Sequence, residues 1–199
     1  MNEAGDLQTI QGLSESQSGV FRLEDLRAAL AEPHRAALYR RIDRLVEVGA
    51  LVRFARGTYV APTFDAQVLS QRLAPDSAMS FETVLADNLV IGPRPARRLS
   101  AIREGRSRTY EGAGWTLEHH RLDPSLRFGE LVEDGVRRTV PEKALLDVLT
   151  FHQRGRRALF DVYSDVDLDR LDRGVLESFL ERYRNPRFVA FARDVLQLP

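Results

Sequence analysis

The chain has 199 residues, of which 43% are hydrophobic, and its formal net charge is zero. This composition is ordinary for a soluble globular protein and leaves room for two small domains. It contains no cysteine, so disulfides and thiolate metal sites are excluded. No apolar run approaches the roughly 20 residues of a membrane-spanning helix, and the first residues do not resemble a signal peptide. We therefore expect a cytoplasmic protein with no membrane partner.

The first third of the chain predicts three helices. Apolar residues at helical spacing predict the first helix over residues 3–17 and the second over residues 23–31. A short extended segment at residues 20–22 separates them. The third helix is predicted over residues 33–48, and this last segment contains most of the positive charge of the region.

Both ends of the third helix carry recognisable signals. Pro33 suits the first helical turn, where the missing N–H has no partner to lose. Gly49 suits a left-handed C-cap that ends the helix. Between these ends, an apolar stripe at helical spacing marks the face that should pack on a core. The residues of this stripe are Leu38, Ile42, Leu45 and Val46.

A two-stranded hairpin is predicted directly after the third helix. Residues 51–54 and 58–60 read as strands, and residues 55–57 form a glycine-containing turn between them. Three helices followed by such a hairpin have the order of a winged helix-turn-helix. Pro62 closes this predicted module, which spans residues 1–62.

Charge is segregated along the chain. Residues 1–32 carry a net charge of −4, whereas residues 33–62 carry +4 and residues 94–108 carry +5. Positive segments of this kind are typical of localised contact with phosphate groups. Lys143 is the only lysine among 29 cationic side chains. The arginine preference is compatible both with the base composition of the genome and with selection for bidentate phosphate contact.

The arginines of the third helix lie off its apolar stripe. In a recognition helix, residues near the N-terminus read base edges, whereas arginines elsewhere hold phosphates. A merely solvated face and a protein-binding winged helix are the alternatives, but the helix–hairpin order and local charge favour double-stranded DNA. The predicted DNA-binding residues are His34, Arg35, Ala37, Arg40, Arg41, Arg44, Arg53 and Arg56.

A mixed α+β domain is predicted over residues 77–199, joined to the winged module by a connecting helix at residues 63–76. Ser80 should cap a helix that runs to Leu89, and Asp167 or Asp169 should cap another that runs to Tyr183. The other predicted elements are three strands between residues 99 and 122, a strand at 137–140, and helices at 141–153 and 188–196. The fold class is therefore α+β, an N-terminal winged helix-turn-helix followed by a mixed α+β C-terminal domain.

The second basic segment has two interpretations. It is either a solvated rim of the second domain or a patch that contacts a polyanion. Its arginines are Arg94, Arg97, Arg98, Arg103, Arg106 and Arg108.

No pattern in the chain predicts a catalytic, metal or cofactor site. His119 and His120 are adjacent on a predicted strand, so they point to opposite faces and cannot easily share one metal. The aspartates at residues 165–169 lack the glycine and the final glutamate of a calcium loop. Glu142 and Lys143 are adjacent at a helix start, where a structural role is expected. We predict a non-enzyme; the alternative is a DNA-targeted, nuclease-like enzyme with a winged-helix targeting domain.

Several segments together resemble the AbiEi-type antitoxins of bacterial abortive-infection toxin–antitoxin pairs. RGTYVAP at residues 56–62 resembles the end of that family's winged helix, and SFETVLADNLV at residues 80–90 resembles a helix of its C-terminal domain. VPEKALLDVL at residues 140–149 is the nearest match, within the longer segment FGELVEDGVRRTVPEKALLD at residues 128–147.

This resemblance implies a DNA-binding repressor of its own operon. It also implies a cognate toxin that resembles a nucleotidyltransferase, counteracted directly or indirectly through the C-terminal domain. The arginines between Arg94 and Arg108 are the candidate antitoxin surface, because they form the largest positive cluster outside the winged module.

Overall fold

The computed structural model describes residues 3–199, with the side chain of Glu3 left out of the description. Met1 and Asn2, the first two residues of the predicted winged module, lie outside the described residues. Helices and sheets are both present, so the α+β class is confirmed. The chain divides into two compact units. The first runs to Leu73 and includes Tyr110–Thr116, and the second comprises Ala74–Thr109 and Leu117–Pro199.

The described residues form eight α-helices and nine strands. The helices are α1 (Glu3–Ser16), α2 (Leu23–Ala29), α3 (Arg35–Glu47), α4 (Ala66–Leu73), α5 (Phe81–Asp87), α6 (Pro141–Gln153), α7 (Arg173–Leu180) and α8 (Pro186–Leu196). The strands are β1 (Val20–Arg22), β2 (Val52–Ala55), β3 (Thr58–Val60), β4 (Ala78–Met79), β5 (Arg98–Arg103), β6 (Arg108–Gly112), β7 (Trp115–Arg121), β8 (Glu130–Glu133) and β9 (Val136–Thr139).

The first unit packs α1, α2 and α3 against a three-stranded antiparallel sheet of order β1-β3-β2. Val60 of β3 lies at the centre and pairs with Val20 on one side and Val52 on the other. One hydrophobic core joins the helices to the sheet. It contains Ile10, Phe21, Leu26, Leu30, Leu38, Ile42, Leu45, Leu51, Tyr59 and Ala61.

Helix α3 begins two residues later than predicted. His34 is the N-cap and has an extended backbone, so Pro33 lies before the helix rather than in its first turn. The C-terminal signal is confirmed, because Gly49 follows the C-cap with a φ of +75°. The hairpin also forms as predicted, with Gly57 at a φ of +73° in its turn.

The tip of the β6–β7 hairpin contributes to the first unit, although it comes from a distant part of the chain. Gly112 lies against the ring of Phe54, so closely that an added Cβ would approach that side chain to 2.9 Å. The rings of Trp115 and Phe64 lie 6.2 Å apart. The first unit is therefore not completed by the first 73 residues alone.

The second unit is organised by a six-stranded sheet of order β6-β7-β5-β4-β9-β8. Strand β4 is antiparallel to β5 and parallel to β9, and β8 pairs antiparallel with β9. The meander β5–β7 and strand β9 were predicted. Strands β4 and β8 were not, because β4 has only two residues and β8 is largely exposed and does not alternate in polarity.

Helix α6 is the central helix of the second unit. We expected one apolar side, but every residue from Glu142 to Thr150 is buried, because α5, α7 and α8 all pack on this helix. Leu145 and Leu149 are buried as predicted.

Two predicted helix caps were wrong. Ser80 occupies the N-cap position of α5, but its hydroxyl makes no capping bond and instead donates to Asp147 Oδ2 at 2.7 Å. Helix α7 is capped by Asp172, which accepts from the N–H of Val175. Asp167 caps only a short 3₁₀ turn at Leu168–Arg170. Sequence spacing placed the acidic cap correctly in this region but in the wrong turn.

Candidate nucleic-acid interface

Helix α3 has one face in the core and one face in solvent. Leu38, Ile42 and Leu45 are buried, whereas the side chains of Arg40 and Arg44 are exposed on the opposite face. Arg35 is exposed at the start of the helix. Because the apolar stripe is fixed in the core, it determines the direction in which these arginines project.

The arginines at the start and middle of α3 keep their positive charge available. Arg35 contacts only the ring of Tyr39, with its Cζ 5.6 Å from the ring centroid. Within residues 3–199, neither Arg35 nor Arg40 has a carboxylate within 4 Å. Such guanidinium groups can each donate two parallel hydrogen bonds to a phosphate.

Arg41 is the exception among the predicted DNA-binding residues. Its guanidinium donates through Nε to Asp6 at 2.9 Å and through Nη1 to the carbonyl of Leu30 at 2.8 Å, and Nη2 also contacts Asp6. The hydrogen bond to Asp6 raises the pKa of Arg41, although partial burial opposes it. Arg41 therefore ties α3 to α1 and α2, and this structural role replaces the predicted role in DNA contact.

The β2–β3 hairpin presents two further arginines. Arg53 donates to Asp43 of α3 at 3.0 Å, and its Cζ lies 5.8 Å from the ring centroid of Tyr59. Arg56 is exposed in the turn, and no carboxylate of the described residues lies within 4 Å of it. The hairpin thus adds one paired and one unpaired arginine beside α3.

The two uncharged candidates lie at the beginning of α3. His34 is the N-cap residue with 85% of its side chain exposed, and its Nδ1 lies 3.5 Å from Glu32. Ala37 is half-buried on the first turn. Small and exposed residues at this end allow a helix to approach a flat surface closely, and the helix dipole makes the same end favourable for anions.

Comparison with known protein families gives a match over residues 8–62, which contain the three helices and the hairpin. The matching family model is described as "Transcriptional regulator, AbiEi antitoxin". Residues 8–62 match the AbiEi antitoxin family. The matched segment, called the AbiEi-like module below, includes every candidate residue discussed so far and ends at Pro62.

A solved structure extends the likeness beyond the AbiEi-like module. The chain is similar to the crystal structure of the RV2827C protein from Mycobacterium tuberculosis, with a TM-score of 0.62 and 17% sequence identity. The alignment covers 96% of this chain and 76% of that chain. At this identity the likeness concerns the fold. No curated protein matches the chain significantly.

The basic segment after the AbiEi-like module is largely neutralised in the structure. Arg98 donates to Glu118 at 3.2 and 2.7 Å, Arg103 lies 3.5 Å from Asp76, and Arg94 lies 3.8 Å from Asp87. The expected continuous positive patch is therefore absent from the described surface. The members with exposed side chains are Arg97, Arg106 and Arg108.

The only lysine is part of a buried polar network. Lys143 and Asp147 are both fully buried and form an ion pair one helical turn apart. Ser80 donates to the same carboxylate, and Lys143 Nζ lies 4.9 Å from the ring centroid of Phe128. Burial raises the pKa of the Asp147 carboxyl, whereas the ammonium and the Ser80 hydroxyl oppose that shift.

This network was missed from the sequence. The available signal was a lysine and an aspartate at i and i+4 within an otherwise apolar helix. Lys143 has no exposed surface, so the nuclease-like alternative finds no accessible lysine beside Glu142. Glu142 itself accepts the backbone N–H of Asp172 at 2.9 Å, in keeping with the structural role predicted for this pair.

Two searches of the described residues complete the picture around the AbiEi-like module. No group of three His, Asp or Glu side chains within residues 3–199 is arranged to hold a metal ion. In the same part of the chain, no helix is both long and apolar enough to cross a bilayer.

The two adjacent histidines are both buried on β7. Burial lowers the pKa of His119 to about 4, and the nearby charge of Arg103 adds to this effect. Burial also lowers the pKa of His120 to about 3, assisted by Arg156, whose guanidinium donates to His120 Nε2 at 2.9 Å. Both imidazoles are therefore neutral in the folded protein at neutral pH.

We expect the free energy of unfolding to fall as the pH is lowered below about 6.5. In that range the unfolded chain binds protons at His119 and His120 that the folded chain excludes. Each histidine contributes about 1.4 kcal/mol per pH unit, so the loss at pH 5.5 should be about 1–3 kcal/mol. Urea denaturation at pH 7 and pH 5.5 measures it.

The variant His120→Gln should reduce this pH dependence, because glutamine does not titrate and still offers an acceptor to Arg156. His34→Asn serves as the control and should leave the dependence unchanged, since His34 is largely exposed. An identical pH profile in His120→Gln and the parent would contradict the assignment.

Proposed function

We propose that this protein is a DNA-binding transcriptional regulator with an antitoxin role. Residues 1–62 act as a winged helix-turn-helix, with α3 in the major groove and the β2–β3 hairpin as the wing. The observation that carries the proposal is the outward face of α3, where Arg35, Arg40 and Arg44 project beside the hairpin arginines. The description of the family matched by residues 8–62 supports it.

The charge arrangement favours duplex DNA over a protein partner. The segment from residue 33 to residue 62 carries a net +4 while the whole chain is neutral. Arg35, Arg40 and Arg56 are not neutralised by neighbouring carboxylates in the described structure. A helix with unpaired guanidinium groups along one face matches the spacing and charge of a phosphate backbone.

Each residue of the interface has a proposed role. Arg35 reads base edges, together with His34 and Ala37, because a recognition helix presents its first turns to the groove floor. Arg40 and Arg44 hold phosphates beside the groove. Arg53 and Arg56 hold phosphates from the wing. Arg41 is left out, because its guanidinium is occupied by Asp6.

The double variant Arg40→Ala/Arg44→Ala is expected to bind the protein's own promoter about 10–100-fold more weakly. The weakening should be similar for all sequences, and the slope of log affinity against log salt should flatten by about 1 for each phosphate that the variant no longer holds. Fluorescence anisotropy titrations at several salt concentrations measure both quantities.

The full chain is the right material for this experiment, because Tyr110–Thr116 is part of the first unit. The matched control is Arg173→Ala/Arg187→Ala, which removes the same charge from exposed positions on α7 and α8. The interface assignment fails if the Arg40/Arg44 variant titrates like the parent, or if the control loses affinity equally.

We further propose that the chain represses its own operon and counteracts a nucleotidyltransferase-like toxin through residues 77–199, directly or indirectly. No catalytic role is assigned. The exposed members of the second basic segment, Arg97, Arg106 and Arg108, are the candidates for the antitoxin surface. Co-expression with the toxin separates the two roles, because the Arg40→Ala/Arg44→Ala variant should lose repression and retain growth rescue.

A further inference from the structure

We propose that a cleft in the second unit binds a small phosphate-bearing ligand of the size of a nucleoside monophosphate. The cleft is defined by Arg154, Arg182 and Arg184, and is called the arginine cleft below. It shares no residue with the α3 interface or with the basic segment at residues 94–108. The proposal therefore stands or falls independently of DNA binding.

The arginine cleft forms where three chain segments meet. The C-terminal end of α6 supplies Arg154, the connection between α7 and α8 supplies Arg182 and Arg184, and a turn that begins at Asp123 closes the side. Its volume is about 390 Å³. Sites for small ligands start at about 300 Å³, whereas an inorganic phosphate ion needs much less.

The charge of the arginine cleft is unbalanced. No carboxylate of the described residues lies within 4 Å of the guanidinium groups of Arg154, Arg182 or Arg184. The single acid of the lining, Asp123, accepts from the N–H and the hydroxyl of Ser125 at 2.9 and 2.7 Å. Three converging cations that share one occupied carboxylate are favourable for an anion.

This imbalance is not general in the second unit. Arg94, Arg98, Arg103, Arg127 and Arg138 each have a carboxylate within 4 Å. The fold thus neutralises arginines elsewhere on this unit, whereas those of the cleft have no carboxylate partner among the described residues.

The walls of the arginine cleft are rigidly supported. The rings of Tyr183 and Phe188 stack with centroids 4.5 Å apart, and both side chains are buried. The Cζ of Arg182 lies 4.3 Å from the ring centroid of Phe128, which holds this arginine in place. Helix α8 begins beside the cleft and directs the positive end of its dipole to the same side.

The residues identify the ligand class. Guanidinium groups bind a phosphate through paired hydrogen bonds, and their flat faces stack on nucleobases. A purine nucleoside monophosphate offers both features within the available volume. Free phosphate offers only the first, and an uncharged nucleoside offers only the second.

Isothermal titration calorimetry on the full chain tests the proposal, with AMP, GMP, inorganic phosphate and adenosine as probes. We expect AMP or GMP to bind in the millimolar range or more tightly, phosphate more weakly, and adenosine not measurably. The variant Arg154→Gln/Arg184→Gln should weaken binding by at least about tenfold, since it removes two charge-assisted hydrogen-bond donors. Both side chains are exposed and have no carboxylate partner among residues 3–199, so its melting temperature should match that of the parent.

The control variant Arg173→Gln/Arg187→Gln removes the same charge outside the cleft and should bind like the parent. Equal loss in both variants would reduce the effect to net charge and overturn the site. Absence of binding by both nucleotides would also overturn it, as would equal affinity for phosphate and AMP. A short 5′-phosphorylated RNA that binds while AMP and GMP do not would replace the small ligand with a nucleic acid strand.

Discussion

Replacing Asp147 by alanine is expected to lower the free energy of unfolding by about 3–5 kcal/mol. The substitution leaves the ammonium of Lys143 inside the protein, where neither side chain of the pair has any exposed surface. It also removes the acceptor of the Ser80 hydroxyl, which is buried as well. An uncompensated charge and an unsatisfied hydroxyl both carry their full desolvation penalty in such a site.

Urea denaturation of matched variants distinguishes the loss of a partner from the loss of side-chain volume. Lys143→Met should also destabilise the protein, because it leaves the Asp147 carboxylate unpaired. The double variant Lys143→Met/Asp147→Leu should recover most of the stability, because an apolar pair can fill the site without buried charge. A single Asp147→Ala variant that unfolds at the parent's urea concentration would show that the ion pair does not stabilise the fold.

Leu145→Ala is expected to lower the free energy of unfolding by about 2–5 kcal/mol. Leu145 is fully buried on α6, the helix on which α5, α7 and α8 pack. Alanine is the better helix former, so the destabilisation would come from the smaller apolar burial and the resulting cavity, not from helix propensity. Thermal and urea unfolding of the full chain both measure the effect.

Leu131→Ala provides the matched control for the same chemical change. Leu131 lies on strand β8 and is 41% exposed, so its truncation should cost no more than about 0.5 kcal/mol. If the two variants unfold alike, helix α6 is not the organising element of the second unit.

The elements that local sequence signals predicted well are those whose signals lie within the element itself. The apolar stripe of α3, Gly49 at its end and the glycine of the hairpin turn all act over a few residues. The same holds for α6, which Pro141 opens. The helix–hairpin order and the exposed positions of Arg35, Arg40 and Arg44 therefore followed from periodicity alone.

The roles of individual charged residues did not follow from periodicity, because an ion pair depends on what the fold brings together. Arg41 resembles its neighbours in sequence, yet Asp6, 35 residues away, occupies its guanidinium. Arg98 finds Glu118 20 residues later, so a segment with a net +5 loses much of its available charge. The sequence records the number of charges, and tertiary contacts decide which of them remain unpaired.

The sequence by itself determined the α+β class, the three helices and hairpin of the first 62 residues, and the arginine-bearing face of α3. Only the tertiary structure decided the burial of Lys143 with Asp147, whose carboxylate also bonds to Ser80, 67 residues away. It alone also joined three unpaired arginines from two segments into one cleft. The physical reason is range, since periodicity and capping act over one or two helical turns, whereas burial and charge pairing join distant residues.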